Sequence, residues 1–169
     1  IGHATDTKTF KPLKIKKDRN KIILLSVGGL YKIKGHHLII KALKIIIDKG
    51  YNAELWIVGE GYYKKQLARL AKKLNIESKV KFLGKKSHEE LAKICNVSDI
   101  FVLANYQEIT PAVNESMACG KPVVVMECGG RNFVVPDESY GLVARRFNVE
   151  DMAGKIITLI KNKDMAKNI

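Results

Sequence analysis

Apolar residues along this chain alternate between unbroken runs and runs at helical spacing, a pattern that predicts strands and helices in turn. KIILLSVG, Lys21 to Gly28, is a largely apolar run closed by glycine, as expected of a strand covered on both faces of a parallel sheet. Leu38, Ala42, Ile45 and Ile46 then recur at helical spacing, predicting a helix over His37 to Asp48 that Gly50 closes. A second strand is expected at Ala53 to Val58, followed by a helix over Tyr63 to Leu74 with Leu67, Leu70, Ala71 and Leu74 on one face. Lys79 to Leu83 reads as a short third strand. Ser87 followed by Glu90 forms a capping box, so a helix is expected over Ser87 to Cys95. Ile100 to Leu103 and Val123 to Met126 are apolar throughout and read as strands, and Gly141 to Ala144 reads as a weaker one. Glu150 to Ile160 reads as an amphipathic helix, and Lys161 to Ile169 as a polar, frayed tail.

Alternation of this kind implies right-handed crossovers and an α/β, Rossmann-like doubly wound parallel sheet, with its ligand site at the carboxyl ends of the strands. The glycine turns at Gly28 to Gly35, Gly59 to Gly61 and Gly84 fall at those ends, as does the Glu108 to Pro111 loop.

Beside that loop, Thr110 is placed to act as an N-cap and Pro111 suits the first helical position, where its missing N–H is not needed. Gly120 and Pro122 mark the stop, so a helix is expected over Pro111 to Cys119. The N–H groups and positive dipole end of such a helix favour an anion, and Glu115 stands one turn in to accept from ligand hydroxyls. Gly28, Gly29, Lys34 and Gly35 form a second candidate, since glycine lets backbone N–H groups approach an anion and lysine adds a mobile charge. Taken alone, that pattern is equally that of a plain strand-to-helix turn. His36 and His37, next to it, read either as solvated helix-start residues or as anion contacts. Gly59-Glu60-Gly61 does not complete a dinucleotide fingerprint, because Lys64 stands where its last glycine would be.

A length of 169 residues with 46% hydrophobic content suits one buried core. Residues 1–20 are polar and Lys-rich and read as an interdomain linker ahead of a domain over 21–169, with the N-terminal partner domain absent. No apolar run reaches the roughly 18 residues that would suggest a spanning helix, and no signal-peptide pattern opens the chain, so a cytoplasmic location is expected. Cys95, Cys119 and Cys128 lack CxxC spacing and the histidines lack HExxH spacing, which argues against a disulfide framework or a zinc site. The net charge of +13 attracts phosphates, nucleic acids and anionic membranes alike, yet the lysines are scattered and no nucleic-acid motif accompanies them.

YQEITPAVNESMACGKPVVV, Tyr106 to Val125, resembles a segment of the nucleotide-binding half of the retaining, GT-B-fold glycosyltransferases of the group 1 (family 4-like) class. In those enzymes Glu, seven residues and Glu lead into an EAMACGxPVV-like run. DTKTFKP (Asp6 to Pro12) resembles the family's interdomain linker, VGGLYKIKG (Val27 to Gly35) its VGRLxxxKG loop, and IVGEG (Ile57 to Gly61) its IVGxGP turn. Lys81 to Asn105 continues in register. The resemblance implies the C-terminal, donor-binding half of a GT-B fold that transfers a sugar from a nucleotide diphosphate with retention of configuration, usually without a bound metal or other cofactor. It makes Lys34 and Glu108 catalytic and places Gly28, Gly29, Leu83, Gly84, Thr110, Pro111, Ala112, Val113 and Glu115 around the donor. Glu115 would accept from the ribose, Glu108 from the transferred sugar, and Leu83 and Gly84 would hold the base through the main chain. Implied partners are a sugar nucleotide, a glycan or lipid-linked acceptor of cell-envelope type, the chain's own N-terminal domain and an anionic membrane surface at the inner face; nucleic acid is not expected. Two departures stand out. Gly29 occupies the place of the family's Arg, and six residues rather than seven separate Glu108 from Glu115, so either Gln107 or Glu108 fills the first carboxylate position. Alternative readings are a non-catalytic sugar-nucleotide-binding module and a basic nucleic-acid binder.

Overall fold

The computed structural model describes residues 5–16, 18 and 20–162; of the tail expected over 161–169, Lys161 instead closes the last helix, and 163–169 lie outside the described residues, as does His3. Six strands, β1 (Ile22–Val27), β2 (Ala53–Val58), β3 (Val80–Gly84), β4 (Ile100–Leu103), β5 (Val123–Met126) and β6 (Leu142–Ala144), form one parallel sheet in the order β3-β2-β1-β4-β5-β6. Helices α1 (His36–Asp48), α2 (Lys64–Lys73), α3 (His88–Val97), α4 (Pro111–Ala118) and α5 (Val149–Lys161) cover its two faces. This is the doubly wound, Rossmann-like arrangement that the alternation implies.

The strands are largely apolar, Ser26, Glu54 and Lys81 being the exceptions, because both faces of the sheet are covered, and successive side chains serve opposite cores. Leu24, Leu55, Ile57, Val102 and Val124 pack with Ile39, Leu43 and Ile156 of α1 and α5 on one side. Leu25, Phe101, Leu103, Val123 and Val125 pack with Leu91, Cys95 and Val113 of α3 and α4 on the other. Phe10, only 1% exposed, belongs to this second core, so the opening segment is seated on the domain. Asn96 of α3 holds it there, accepting from the Leu13 N–H at 2.7 Å and donating to the Lys11 carbonyl at 3.0 Å.

The predicted capping box is formed: Ser87 Oγ accepts from the Glu90 N–H at 3.2 Å, and Glu90 Oε2 accepts from the Ser87 N–H at 2.9 Å. The cap expected from Thr110 is not. Thr110 does precede α4, but its hydroxyl makes no capping bond and is buried without a partner. Short 3-10 turns at Lys32–Lys34, Glu77–Lys79 and Arg131–Phe133 also escape sequence reading, since three residues carry no periodicity. The last residue of the first turn, Lys34, is followed by Gly35 in the left-handed region at φ 71°, and α1 therefore starts one residue earlier than expected, at His36.

Candidate functional site

In an open parallel sheet the crevice forms where the strand order reverses, and here that point lies between β1 and β4. The β1 chain leaves toward Lys34 and the β4 chain toward Glu108, so the two residues face one another across the switch point. Their loops are tied together: the Tyr106 N–H donates to the Ile33 carbonyl at 3.1 Å, and a Cβ at Gly35 would lie 1.9 Å from the Ala104 carbonyl oxygen. Only glycine permits that approach. A cleft of about 720 Å³ results, lined by Lys34, Glu108, Ile109, Thr110, Pro111, Asn114, Gly129, Gly130, Phe133 and Val134.

Glu108 is held by a parallel bridge to Gly129, which brings the β5 loop against the β4 loop. Of the two residues considered for the first carboxylate position, Glu108 rather than Gln107 lines the cleft. At the start of α4 the Val113 N–H already donates to the Thr110 carbonyl at 3.1 Å. The N–H of Ala112, by the geometry of any helix start, has no carbonyl within the helix to meet. Glu115 lies one turn further along and is half-buried, facing the start of α3. Burial raises its carboxyl above the usual range, and the charge of nearby His88 partly offsets that.

The loops after β1, β2 and β3 are stitched by the Gly28 N–H to the Val58 carbonyl, Leu30 N–H to Glu60 carbonyl and Gly59 N–H to Gly84 carbonyl, at 2.8 to 2.9 Å. A Cβ at Gly59 would sit 2.0 Å from the Gly28 carbonyl oxygen, so the Gly-Glu-Gly turn is a packing device. Gly28 and Gly29 adjoin Lys34 on the β1 side, and Leu83 and Gly84 end β3 beyond them. The space a side chain at position 29 would enter is filled by the Tyr31 ring, 2.5 Å from such a Cβ.

His36 and His37 are not solvated. His36 is 1% exposed, with Nδ1 3.1 Å from Ser26 Oγ, and half-buried His37 places Nε2 2.7 Å from the Tyr106 hydroxyl. Burial pulls the His36 imidazole down to about 4 despite the Gly29 and Gly28 carbonyls beside it, which favour protonation. Among the described residues, the buried side-chain atoms without a partner include His36 Nε2, His37 Nδ1, Asn105 Nδ2 and Thr110 Oγ1. All four border the switch point, at the start of α1 or in the loop between β4 and α4. Buried polar atoms are nearly always bonded, and around this crevice the described residues leave these four without a partner.

The structure thus brings Lys34, Glu108, Thr110 and Pro111 into one cleft, with Ala112 and Val113 buried behind them. Gly28, Gly29, Leu83, Gly84 and Glu115 flank it without lining it. Sequence reading missed Asn114, Ile109, Phe133 and Val134 as cleft residues. Asn114 was within reach, because it sits three residues after Pro111 and hence on the same helix face. Phe133 carried no signal: a 92% exposed phenylalanine on an irregular loop is placed only by the fold. No group of three or more His, Cys, Asp or Glu among the described residues is arranged to hold a metal ion.

Fold and cleft together define a doubly wound domain of the kind that binds nucleotides at a switch-point crevice. Residues 7–169 match the family model of glycosyl transferases group 1, and the chain belongs to that family. It is 33% identical over 146 residues to an uncharacterized glycosyltransferase of Methanocaldococcus jannaschii, covering 86% of this chain and 40% of the relative. The chain thus spans less than half of the curated relatives it matches. Among solved structures it is similar to the C-terminal domain of a group 1 glycosyl transferase from Francisella tularensis, with a TM-score of 0.82 at 21% identity, covering 98% of this chain and 92% of that one. It is also similar to HepE of Anabaena, solved with UDP-glucose, with a TM-score of 0.81 at 24% identity, covering 88% and 42%. The sheet and its helices are those of the C-terminal, Rossmann-like half of a GT-B fold.

Proposed function

We propose that this chain is the donor-binding half of a retaining sugar transferase that passes a sugar from a nucleotide diphosphate to a glycan or lipid-linked acceptor. The observation that carries this reading is the set of unpartnered buried polar atoms around a crevice flanked by Lys34, Glu108 and the start of α4. A diphosphate seated there meets the lysine and the helix dipole, which stabilise the charge that builds on the leaving group. Glu108 accepts from hydroxyls of the sugar, Glu115 from the ribose, and Leu83 and Gly84 line the base. The acceptor site belongs to the N-terminal domain of the whole enzyme, and residues 1–20 lead from it. No described helix is long and apolar enough to cross a membrane. A net charge of +13 suits peripheral contact with an anionic cytoplasmic face, at up to about 1 kcal/mol per lysine near the surface.

A thermal-shift panel of UDP, GDP and ADP sugars tests the donor reading, because a ligand that binds only the folded state raises its melting temperature as occupancy grows. HepE, a relative in fold, is solved with UDP-glucose, which makes UDP sugars the first to try. A rise with at least one donor is expected. No shift with any of them at millimolar concentration overturns the reading.

A further inference from the structure

The cleft at the switch point has two unlike sides. From the β4 loop and α4 it takes Glu108, Thr110 and Asn114, whose side chains form hydrogen bonds. From the β5 loop it takes Gly129, Gly130, Phe133 and Val134, none of which brings a charged or hydrogen-bonding side chain. Phe133 is the largest of these, and at 92% it is more exposed than any other large apolar or aromatic residue described.

The backbone that carries this ring is pinned at both ends. Gly129 is bridged to Glu108, and a Cβ there would lie 2.7 Å from the Gln107 carbonyl oxygen, so one end of the loop is pressed against the β4 loop. At the other end Val135 is fully buried in the second core, with its N–H donating to the Arg131 carbonyl at 2.7 Å. Between them the Phe133 N–H donates to the Gly130 carbonyl at 3.2 Å, and the Arg131 guanidinium donates to the Val135 carbonyl at 3.2 Å. Val134 and Val135 take the places in the core, and Phe133 is left standing in the cleft. A ring displayed in this way forgoes burial that it regains only when a ligand covers it.

The strand order β3-β2-β1-β4-β5-β6 sets which part of a donor arrives there. Lys34 follows β1, Glu108 follows β4 and Phe133 follows β5, whereas Leu83 and Gly84 end β3 on the other side of β1. A nucleotide sugar with its base at β3 and its diphosphate at Lys34 extends its sugar toward Glu108 and Phe133. A sugar ring carries hydroxyls around its rim and C–H bonds on its faces. The rim suits the polar side of the cleft, and a C–H face suits an aromatic ring, whose electron-rich face attracts the slightly positive hydrogens. We propose that Phe133 is a specificity-determining residue for the transferred sugar: its ring stacks on a C–H face of that sugar while Glu108 and Asn114 take hydroxyls at the rim. The inference rests on the donor-site reading above and adds to it an apolar contact with the sugar itself.

Calorimetric titration of the full 169-residue chain compares UDP with UDP-glucose, ADP with ADP-glucose and GDP with GDP-mannose. Phe133→Ala should weaken at least one sugar conjugate by about fivefold, the worth of one aromatic ring contact, and leave its free nucleotide within about twofold. Phe133→Tyr keeps the ring and should hold both within about twofold, while Phe133→Leu keeps apolar bulk without a ring and should behave as the alanine variant. Because the side chain is exposed, these variants should melt with the parent. Proton NMR gives a second readout, since the ring current of a stacked Phe133 moves C–H resonances of the bound sugar upfield in the parent and not in Phe133→Leu. Equal weakening of nucleotide and conjugate places the ring on the nucleotide, and no weakening of either leaves it without a ligand. Either result, or Phe133→Leu matching the parent, overturns the role of Phe133 and leaves the donor site standing. No binding of any of these nucleotides to the parent overturns the donor site and this inference with it.

Discussion

Lys34 illustrates how one residue's chemistry depends on its backbone setting. It ends a 3-10 turn ahead of a left-handed glycine, and the tie between Tyr106 and Ile33 holds that turn against the opposite loop. Lys34→Ala should weaken nucleoside-diphosphate binding by about 1.5 to 3 kcal/mol, the range for a hydrogen bond to a charged group, as read by calorimetry. Unchanged affinity removes Lys34 from the site. His36 makes a different prediction, about stability against pH. Its ring titrates near 6.5 when unfolded and about 4 when folded, so between those values the unfolded chain takes up a proton that the folded chain refuses. Its contribution is complete above pH 6.5, falls as pH drops toward 4 and levels off below, by about 3 kcal/mol in all. Burial lowers His37 too, and acts in the same direction. Glu54 adds a separate loss from 4.5 down to about 2: burial raises its carboxyl, but bonds from Lys81 and Trp56 and the charge of Lys21 outweigh that. Urea unfolding at pH 7 and pH 4.5 should show a smaller difference in His36→Gln than in the parent chain. An equal difference assigns the pH dependence elsewhere.

At the scale of the element, α3 and α4 begin in contrasting ways. Ser87 caps α3 through a complete box, and Ser87→Ala should cost about 1 kcal/mol of folding stability by denaturant titration. Thr110 stands at the same position before α4 with its hydroxyl buried and unbonded. Thr110→Val removes an unsatisfied polar group and should leave stability within about 0.5 kcal/mol of the parent or raise it, while lowering donor affinity. A destabilisation equal to that of Ser87→Ala means that the hydroxyl caps the helix after all. The sequence signature is the same in both cases, a hydroxyl residue before a helix. Both residues are extended, at φ -68° ψ 165° and φ -101° ψ 154°; what differs is that the Thr110 hydroxyl, buried beside the crevice, meets no helix N–H. On α4 itself, Glu115→Ala should reduce affinity for a nucleoside diphosphate more than Glu108→Ala, because the ribose is present in both the donor and its sugar-free form. Equal or reversed losses by the same titration would make Glu108 the ribose ligand.

At the scale of the whole molecule, the opening segment is part of the packed domain. Phe10 is 1% exposed in the core behind β4 and β5, and Phe10→Ala should cost about 3 to 5 kcal/mol by thermal or denaturant unfolding. A loss under 1 kcal/mol would mean that the segment is only loosely seated. On the proposal that the acceptor site belongs to an N-terminal domain, the chain should fold and bind donor yet transfer no sugar, because holding both reactants in line contributes up to about 7 to 11 kcal/mol. Robust glycosylation of an acceptor by this chain alone, followed by product mass, overturns the two-domain reading.

By itself the sequence determined the order and type of the main elements, because the strands are largely apolar runs and most helices show their period, a cap or a stop. It also supplied the candidate-site signals that are local, a threonine before α4 and a proline at its start, a lysine and glycine before α1, and the carboxylates Glu108 ahead of α4 and Glu115 within it. Only the tertiary structure decided which of these meet. The reversal of strand order between β1 and β4 sets Lys34 opposite Glu108, and the bridge to Gly129 brings in Phe133 and Val134, a connection between residues far apart in sequence that no local pattern encodes. The same closure buried His36 under the glycine loop and left Thr110 without a bond, since whether a polar atom finds a partner depends on every chain segment packed around it.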